Sequence, residues 1–127
     1  MLNTKQISVG EGKHHVAVLA SITEDGLTIQ LLGGEKPHVG AVVMSIPRPS
    51  LADQETVSCN SYVLPRMSHK DDEIAKPVAE RLAVTLNQSV VVVAGLHVDE
   101  ALPQDIELLF NNTYLAIDKL LAELTEL

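Results

Sequence analysis

From His14 to Ile22 the apolar residues Val16, Val18, Ala20 and Ile22 alternate with His15, Ala17, Leu19 and Ser21. A period of two predicts a strand with one face toward a core. Glu24-Asp25-Gly26 then reads as a tight turn, because Asp-Gly readily supplies positive φ, and Leu27, Ile29 and Leu31 mark a strand returning to Gly33-Gly34. The two predict an antiparallel hairpin. A weaker strand precedes them at Asn3 to Val9, closed by Gly10-Glu11-Gly12. Another is expected from about Val39 to Ile46, stopped by Pro47-Arg48-Pro49, which cannot continue a central ladder. After a loop at 48–56, Val57 to Leu64 alternates again and stops at Pro65.

The period then changes. Ile74, Val78, Leu82 and Leu86 form a helical stripe, and Ser68-His69-Lys70-Asp71 has the S-x-x-D form of a capping box. The spacing predicts a helix from about Lys70, kinked at Pro77. Ser89 to Val98 is apolar on both faces, as a fully buried strand requires. Pro103 opens a last helix whose stripe is Ile106, Leu109, Phe110, Thr113, Ile117, Leu120, Leu121 and Leu124. The chain order is five strands, a helix, a strand and a helix. The expectation is one α+β domain over 1–127: a single, mainly antiparallel sheet with two helices packed on one face.

Length agrees with one core, since 127 residues are too few for two comfortable domains. No apolar run reaches membrane-spanning length, the first residues lack the apolar segment of a secretory signal, and the single Cys59 suits a reducing compartment. A cytoplasmic protein without membrane association is expected. The formal charge of −8 argues against nucleic acid as a partner, which needs clustered Lys and Arg. Help for a small anion is confined to Lys36/His38, Arg48 and Arg66/His69/Lys70. With only Tyr62, Phe110 and Tyr114 as aromatics, a flat ligand would rest mostly on aliphatic, His or peptide surfaces.

Three stretches place polar groups at strand ends, each with a His: Gly33-Gly34-Glu35-Lys36-Pro37-His38-Val39-Gly40, Ser68-His69-Lys70-Asp71-Asp72, and Gly95-Leu96-His97-Val98-Asp99. Imidazole can ligate a metal, move protons near neutrality or bond a backbone group. The glycines fit neither a P-loop nor a dinucleotide fingerprint. They serve either sharp turns and close backbone packing or a surface that a ligand approaches closely. At the second stretch a helix start and Lys70 could attract a phosphate, although Asp71, Asp72 and Glu73 compete for the same positive end. No G-x-S-x-G elbow places a nucleophile, and Cys59 reads as a packing residue.

In order, Gly33-Gly34-x-x-Pro37-His38-Val39-Gly40-Ala41-Val42, Ile46-Pro47-Arg48-Pro49-Ser50-Leu51, His69-Lys70-Asp71-Asp72 and Ala94-Gly95-Leu96-His97-Val98-Asp99 resemble the small D subunit associated with gallate and hydroxyarylic-acid decarboxylases. This is the LpdD-like prenylated-flavin chaperone family, and the resemblance covers roughly residues 12 to 125. It implies a fold similar to that of proteasome-assembly chaperones, often dimeric. It also implies a non-catalytic protein that binds prenylated FMN, or FMN, as cargo and helps to mature a UbiD-type decarboxylase. The residues it assigns to cofactor binding are Gly33, Gly34, Pro37, His38, Gly40, Arg48, His69, Lys70, Gly95, His97 and Asp99, with Arg48, Lys70 and the helix start on the phosphate. The chain departs from the family in carrying Ser68 where Gly is usual, Glu100 where Asn is usual, and Pro77 within the first helix. Two other functions remain open at this point. One is a small metal-dependent enzyme with a centre built from His38, His69, His97 and Asp99 for hydrolytic or redox chemistry; the other is an accessory subunit of the decarboxylase that binds no cofactor.

Overall fold

The computed structural model describes residues 3–67 and 70–125. Along the chain run β1 (Asn3–Val9), a 3-10 turn (Gly12–His14), β2 (Val16–Thr23), β3 (Gly26–Gly34), β4 (Ala41–Pro49), β5 (Val57–Pro65), α1 (Asp72–Leu86), β6 (Val90–His97) and α2 (Pro103–Thr125). The strands form one six-stranded sheet in the order β1-β2-β3-β6-β4-β5, so the α+β expectation holds. The spatial order does not follow the chain order. β6 enters between β3 and β4, parallel to β3 and antiparallel to β4. All other neighbours are antiparallel.

Alternation decides which face the helices cover. Val16, Val18, Ala20, Ile29, Leu31, Val43, Val90, Val92 and Ala94 all point to one side and are buried. Against them pack Ile74, Ala75, Val78, Ala79, Leu82 and Ala83 from α1 and Leu109, Ala116, Ile117 and Leu120 from α2, in one cluster. α1 lies over β4, β5 and β6, and α2 over β1 and β2. The alanines of α1 bring its backbone close to the sheet, a role that a search for large apolar residues passes over. Ile106, expected in the stripe of α2, is 43% exposed because it stands over a cleft beside the sheet.

Several boundaries differ from the sequence expectation. β4 does not stop at Pro47 but runs to Pro49, paired with β5 throughout, Pro47 with Cys59 and Pro49 with Val57. Its pairing with β6 ends at Ser45, so both prolines sit where β4 has one partner only and no second ladder needs their missing N–H. The β2–β3 hairpin turns on Glu24 and Asp25, with Gly26 already in β3 opposite Thr23. Gly26 takes φ 136°, while Asp25 does not enter positive φ. α1 begins at Asp72, not Lys70, with Pro77 inside it, and ends on Asn87 in a left-handed cap whose N–H bonds Ala83 O. Ser68, the expected start of the capping box, lies outside the described residues. No helix among the described residues is long and apolar enough to cross a membrane.

The first turn of α2 is tied to the 3-10 turn by Asp105, a carboxylate with only 4% of its surface exposed. Its Oδ2 accepts the Leu102 N–H (2.9 Å) and its Oδ1 lies 2.7 Å from His14 Nε2, with Lys13 Nζ at 3.5 Å. The His14 bond first, then the Leu102 amide, hold the Asp105 carboxyl down at about 2. Asn112 completes the joint by donating to His14 O (2.9 Å). A carboxyl lowered in the folded state stabilises fully above its unfolded value of about 3.9, and that contribution is lost as pH falls toward 2. Thermal melts of wild type and Asp105→Asn across acid pH should therefore show a wild-type advantage that is constant above about pH 5 and shrinks below about pH 4. A gap independent of pH in that window would assign the effect to packing alone.

Candidate functional site

β6 and β3 run on together to the pair Gly34–His97, whereas β4 joins β6 only from Ala41, opposite Ala94. Past that level the β4 side of β6 is bare of strand, and the loop from Glu35 to Gly40 folds back to fill it. Glu35 N–H and Lys36 N–H both reach His97 O (2.7 and 3.3 Å), and Gly40 N–H bonds Ala94 O (2.9 Å). The loop therefore lies against the end of β6 and carries His38 with it.

The next free backbone donor of β6 on that side is Leu96 N–H, and Asp71 takes it: Oδ1 accepts it at 2.9 Å, while Oδ2 sits 2.9 Å from His38 Nε2. Asp71 occupies the N-cap position of α1, yet its side chain does not cap the helix. One buried carboxylate thus ties the start of α1 to the end of β6 and to the 35–40 loop. His38 Nδ1 lies 2.9 Å from Lys36 O. Both ring nitrogens of His38 are therefore engaged within the protein.

A second group sits more openly beside it. Asp99 is bonded by Lys36 Nζ (3.0 Å to Oδ2) and by His97 Nε2 (2.9 Å to Oδ1), and its amide donates to Glu35 Oε1 (3.0 Å). The Lys36 bond, then that of His97, lower the Asp99 carboxyl below the usual carboxylate range. The His38 and His97 rings stand edge to face, with centroids 6.3 Å apart and planes at 78°. Each is engaged by its own carboxylate. Among the described residues no three His, Cys, Asp or Glu converge as metal ligands. His69, the remaining group of the metal alternative, lies outside the described residues.

Between this corner and α2 opens a cleft of about 440 Å³, a size usual for small-molecule sites. His38, Lys70, Asp71, Glu73 and His97 supply its polar side; Ile74, Leu96, Ile106, Leu109 and Phe110 supply the apolar one. Of the residues anticipated from sequence, His38, Lys70 and His97 line it directly. Asp99 stands behind His97, and Pro37 is exposed on the loop. Arg48 does not join them. It lies seven residues along β4 from Ala41, roughly 23 Å at the rise of a strand, and its guanidinium bonds Asn60 Oδ1 and Pro49 O. The helix start is also largely occupied, because the amides of Glu73, Ile74 and Ala75 already bond the carbonyls of Lys70 and Asp71.

The glycines turn out to face protein. A Cβ on Gly95 would land on the His38 carbonyl, one on Gly40 on the Asp71 carboxylate, and one on Gly34 on the His97 backbone, while Gly33 abuts His15 O and Leu96. They let the loop, β6 and Asp71 close on one another, so what they give a ligand is the shape of the corner. Asp71 as the tie, and the apolar wall from Phe110, Leu109 and Ile106, were not singled out in the sequence. The available signal was an Asp just ahead of a helix that has a second Asp to serve its first turn.

A family model described as the prenylated flavin chaperone LpdD-like domain matches residues 10–125. The chain belongs to this family. No curated protein matches it. Among solved structures, a chain from the crystal structure of a chaperone complex for yeast 20S proteasome assembly superimposes with a TM-score of 0.57. That match spans 95% of this chain and 94% of the other at 18% identity, a likeness of fold.

Within this LpdD-like chain the departure at Glu100 has a structural correlate: it adopts φ 51°, left-handed backbone that Asn enters more readily than Glu. Glu100→Asn should stabilise the protein by about 0.5–1 kcal/mol in urea unfolding, and an unchanged or lower midpoint would refute the backbone explanation. Gly95→Ala should cost about 3 kcal/mol or more, since a backbone carbonyl and not a movable side chain occupies the space. Gly12→Ala, with φ 59° and nothing within 4 Å, should cost only about 1–2 kcal/mol in the same assay.

Proposed function

We propose that the protein is a non-catalytic carrier that receives prenylated FMN in the cleft beside β6 and passes it to a UbiD-type decarboxylase. One observation carries the reading. Three of the four stretches that resemble the family, far apart in sequence, contribute His38, Lys70 and His97 to the same cleft. Family membership supports the chaperone role and the class of cargo.

The division of the cleft suits a molecule with an apolar polycyclic body and an anionic tail. Phe110, Leu96, Ile74 and Leu109 offer a surface for the ring system, and His97 offers a polar edge for its carbonyl or ring nitrogen atoms. Lys70 is exposed at the rim and supplies a cation for the phosphate. Asp71 and Glu73 line the same cleft with negative charge, which limits the strength of that contact and suits a cargo that must be released. Arg48, remote from the cleft, has no part in this arrangement. His38 is held by Asp71 and Lys36 O, so it shapes the wall of the cleft. Gly33, Gly34, Gly40 and Gly95 act by permitting the corner to close, with Pro37 shaping the loop.

Protein mixed with prenylated FMN and freed of excess ligand should retain it in native mass spectra and visible absorbance, and should restore activity to apo-decarboxylase. Loss of one charge-assisted phosphate bond in Lys70→Glu should weaken binding about 10-fold or more, and Phe110→Ala should weaken it with the salt dependence unchanged. Failure to retain cofactor, with no restoration of the decarboxylase, would remove the proposal. Co-purification with the decarboxylase under those conditions would favour an accessory subunit that binds no cofactor.

A further inference from the structure

The helices cover one face of the sheet and leave the other open, and the sheet ends in two edge strands, β1 and β5. The two edges are finished differently. β1 carries Lys5 within the strand and has α2 packed over it, with Lys5 Nζ 4.0 Å from Glu123 Oε1. A charge in the edge strand is one way natural sheets discourage a further strand. β5 has no such guard. Its nine residues hold no charge, its proline is the last of them, and it pairs with β4 without a bulge.

The ladder fixes which groups of β5 point outward. Arg66 N–H bonds Gly40 O (3.0 Å), one step beyond the pair Ala41–Pro65, and so marks a bonded pair. Bonded and non-bonded pairs alternate in an antiparallel ladder. Ser58, Asn60, Tyr62 and Leu64 therefore turn their amides to β4, and Val57, Cys59, Ser61 and Val63 turn theirs away from the sheet. Pro47, Pro49 and Pro65 all fall in non-bonded pairs, as their missing N–H requires. Among the described residues, no turn, loop or side chain bonds the outward amides of Cys59, Ser61 and Val63.

One carboxylate stands over this edge. Ser61 Oγ donates to Glu80 Oε2 of α1 (2.7 Å) and, its proton used there, accepts from the buried Ser45 Oγ (2.7 Å). The relay holds Glu80, half-buried, at the midpoint of an uncharged strand, and its Oε1 has no bond among the described residues. A strand added to β5 lies about 5 Å away, so its residue opposite Ser61 meets Glu80. A Lys or Arg there completes an ion pair. A second β5 paired about Ser61 would instead bring another Glu80 to the same point, on a chain that also carries −8. On the open-face side of the same edge Tyr62 and Leu64 are 59% and 70% exposed, which suits apolar residues at the alternate positions of an added strand.

We infer that β5 is a docking edge for an extended segment of another protein, one with a Lys or Arg opposite Ser61 and apolar residues alternating with it on the open face. Main-chain bonds to Cys59, Ser61 and Val63 hold the segment, and Glu80, Tyr62 and Leu64 select it. The cleft takes no residue from β5, and the test uses protein without cofactor, so its failure would leave the cofactor proposal untouched. The probe is a synthetic peptide as long as β5, alternating threonine and valine, with one lysine at the centre of the threonine row. At about 1 mM it should slow hydrogen exchange at the amides of Cys59, Ser61 and Val63 and leave those of β1 unchanged. The same peptide with glutamate in place of lysine should bind at least about 10-fold more weakly. Glu80→Gln should shrink that preference to within about 2-fold while still binding the lysine peptide. No protection at that concentration, equal binding of the two peptides by the wild type, or protection that appears at β1 instead would each overturn the inference. So would protection of the same three amides that rises with protein concentration in the absence of peptide, because a second copy would then be the occupant.

Discussion

Everything in this structure depends on β6 being hydrogen-bonded along both edges. β1, β2 and β3 form one antiparallel unit and β4 with β5 another, and no ladder joins them except through β6. Its run of Val90, Val91, Val92, Val93 and Ala94 is apolar on both sides because one side meets the helices and the other the middle of the open face. The two neighbours of β6 do not end at the same level. β3 follows it to His97, while β4 begins three residues short of that point, at Ala94. The gap left by that mismatch holds the 35–40 loop, Asp71 and the cleft. The site is thus a by-product of unequal strand lengths around one central strand.

Much of the fold was legible in the sequence, because periodicity reports burial and burial is what the strands and helices share. The β2–β3 hairpin, the start of α2 at Pro103 and the doubly apolar β6 could all be read this way. The insertion of β6 between β3 and β4 could not. A buried strand states that it has two neighbours, but not which ones, and no local pattern encodes a pairing between Leu27 and Val90. Pro47 and Pro49 misled for a related reason: proline forbids a second ladder, and only the sheet order reveals that β4 lacks one there.

The site was legible in its parts and not in its assembly. His38, Lys70 and His97 stood out beside turns, and the structure brings them together. Arg48 stood out by the same criteria and lies elsewhere, because a basic residue in a Pro-rich stretch says nothing about which end of a strand it occupies. The glycines were ambiguous between packing and ligand access, and the atoms beside Gly40 and Gly95 resolve that in favour of packing. Asp71 was hidden by its own position: ahead of a helix it looks like a cap, and only the exposed Leu96 amide explains why it serves the sheet instead.

The central place of β6 has a consequence for how the chain comes to be made. Loop-closure entropy must be met before a distant pairing repays it, so the hairpins β2–β3 and β4–β5 can form long before β6 arrives. Until it does, the inner edges of β3 and β4 are bare rows of amides and carbonyls on strands without a single carboxylate to repel another chain. A nascent chain emerging from the ribosome carries both open edges until His97 has been added, and α2, which covers the first unit, follows later still. A protein of a chaperone family therefore passes through a period in which it is itself exposed to mispairing.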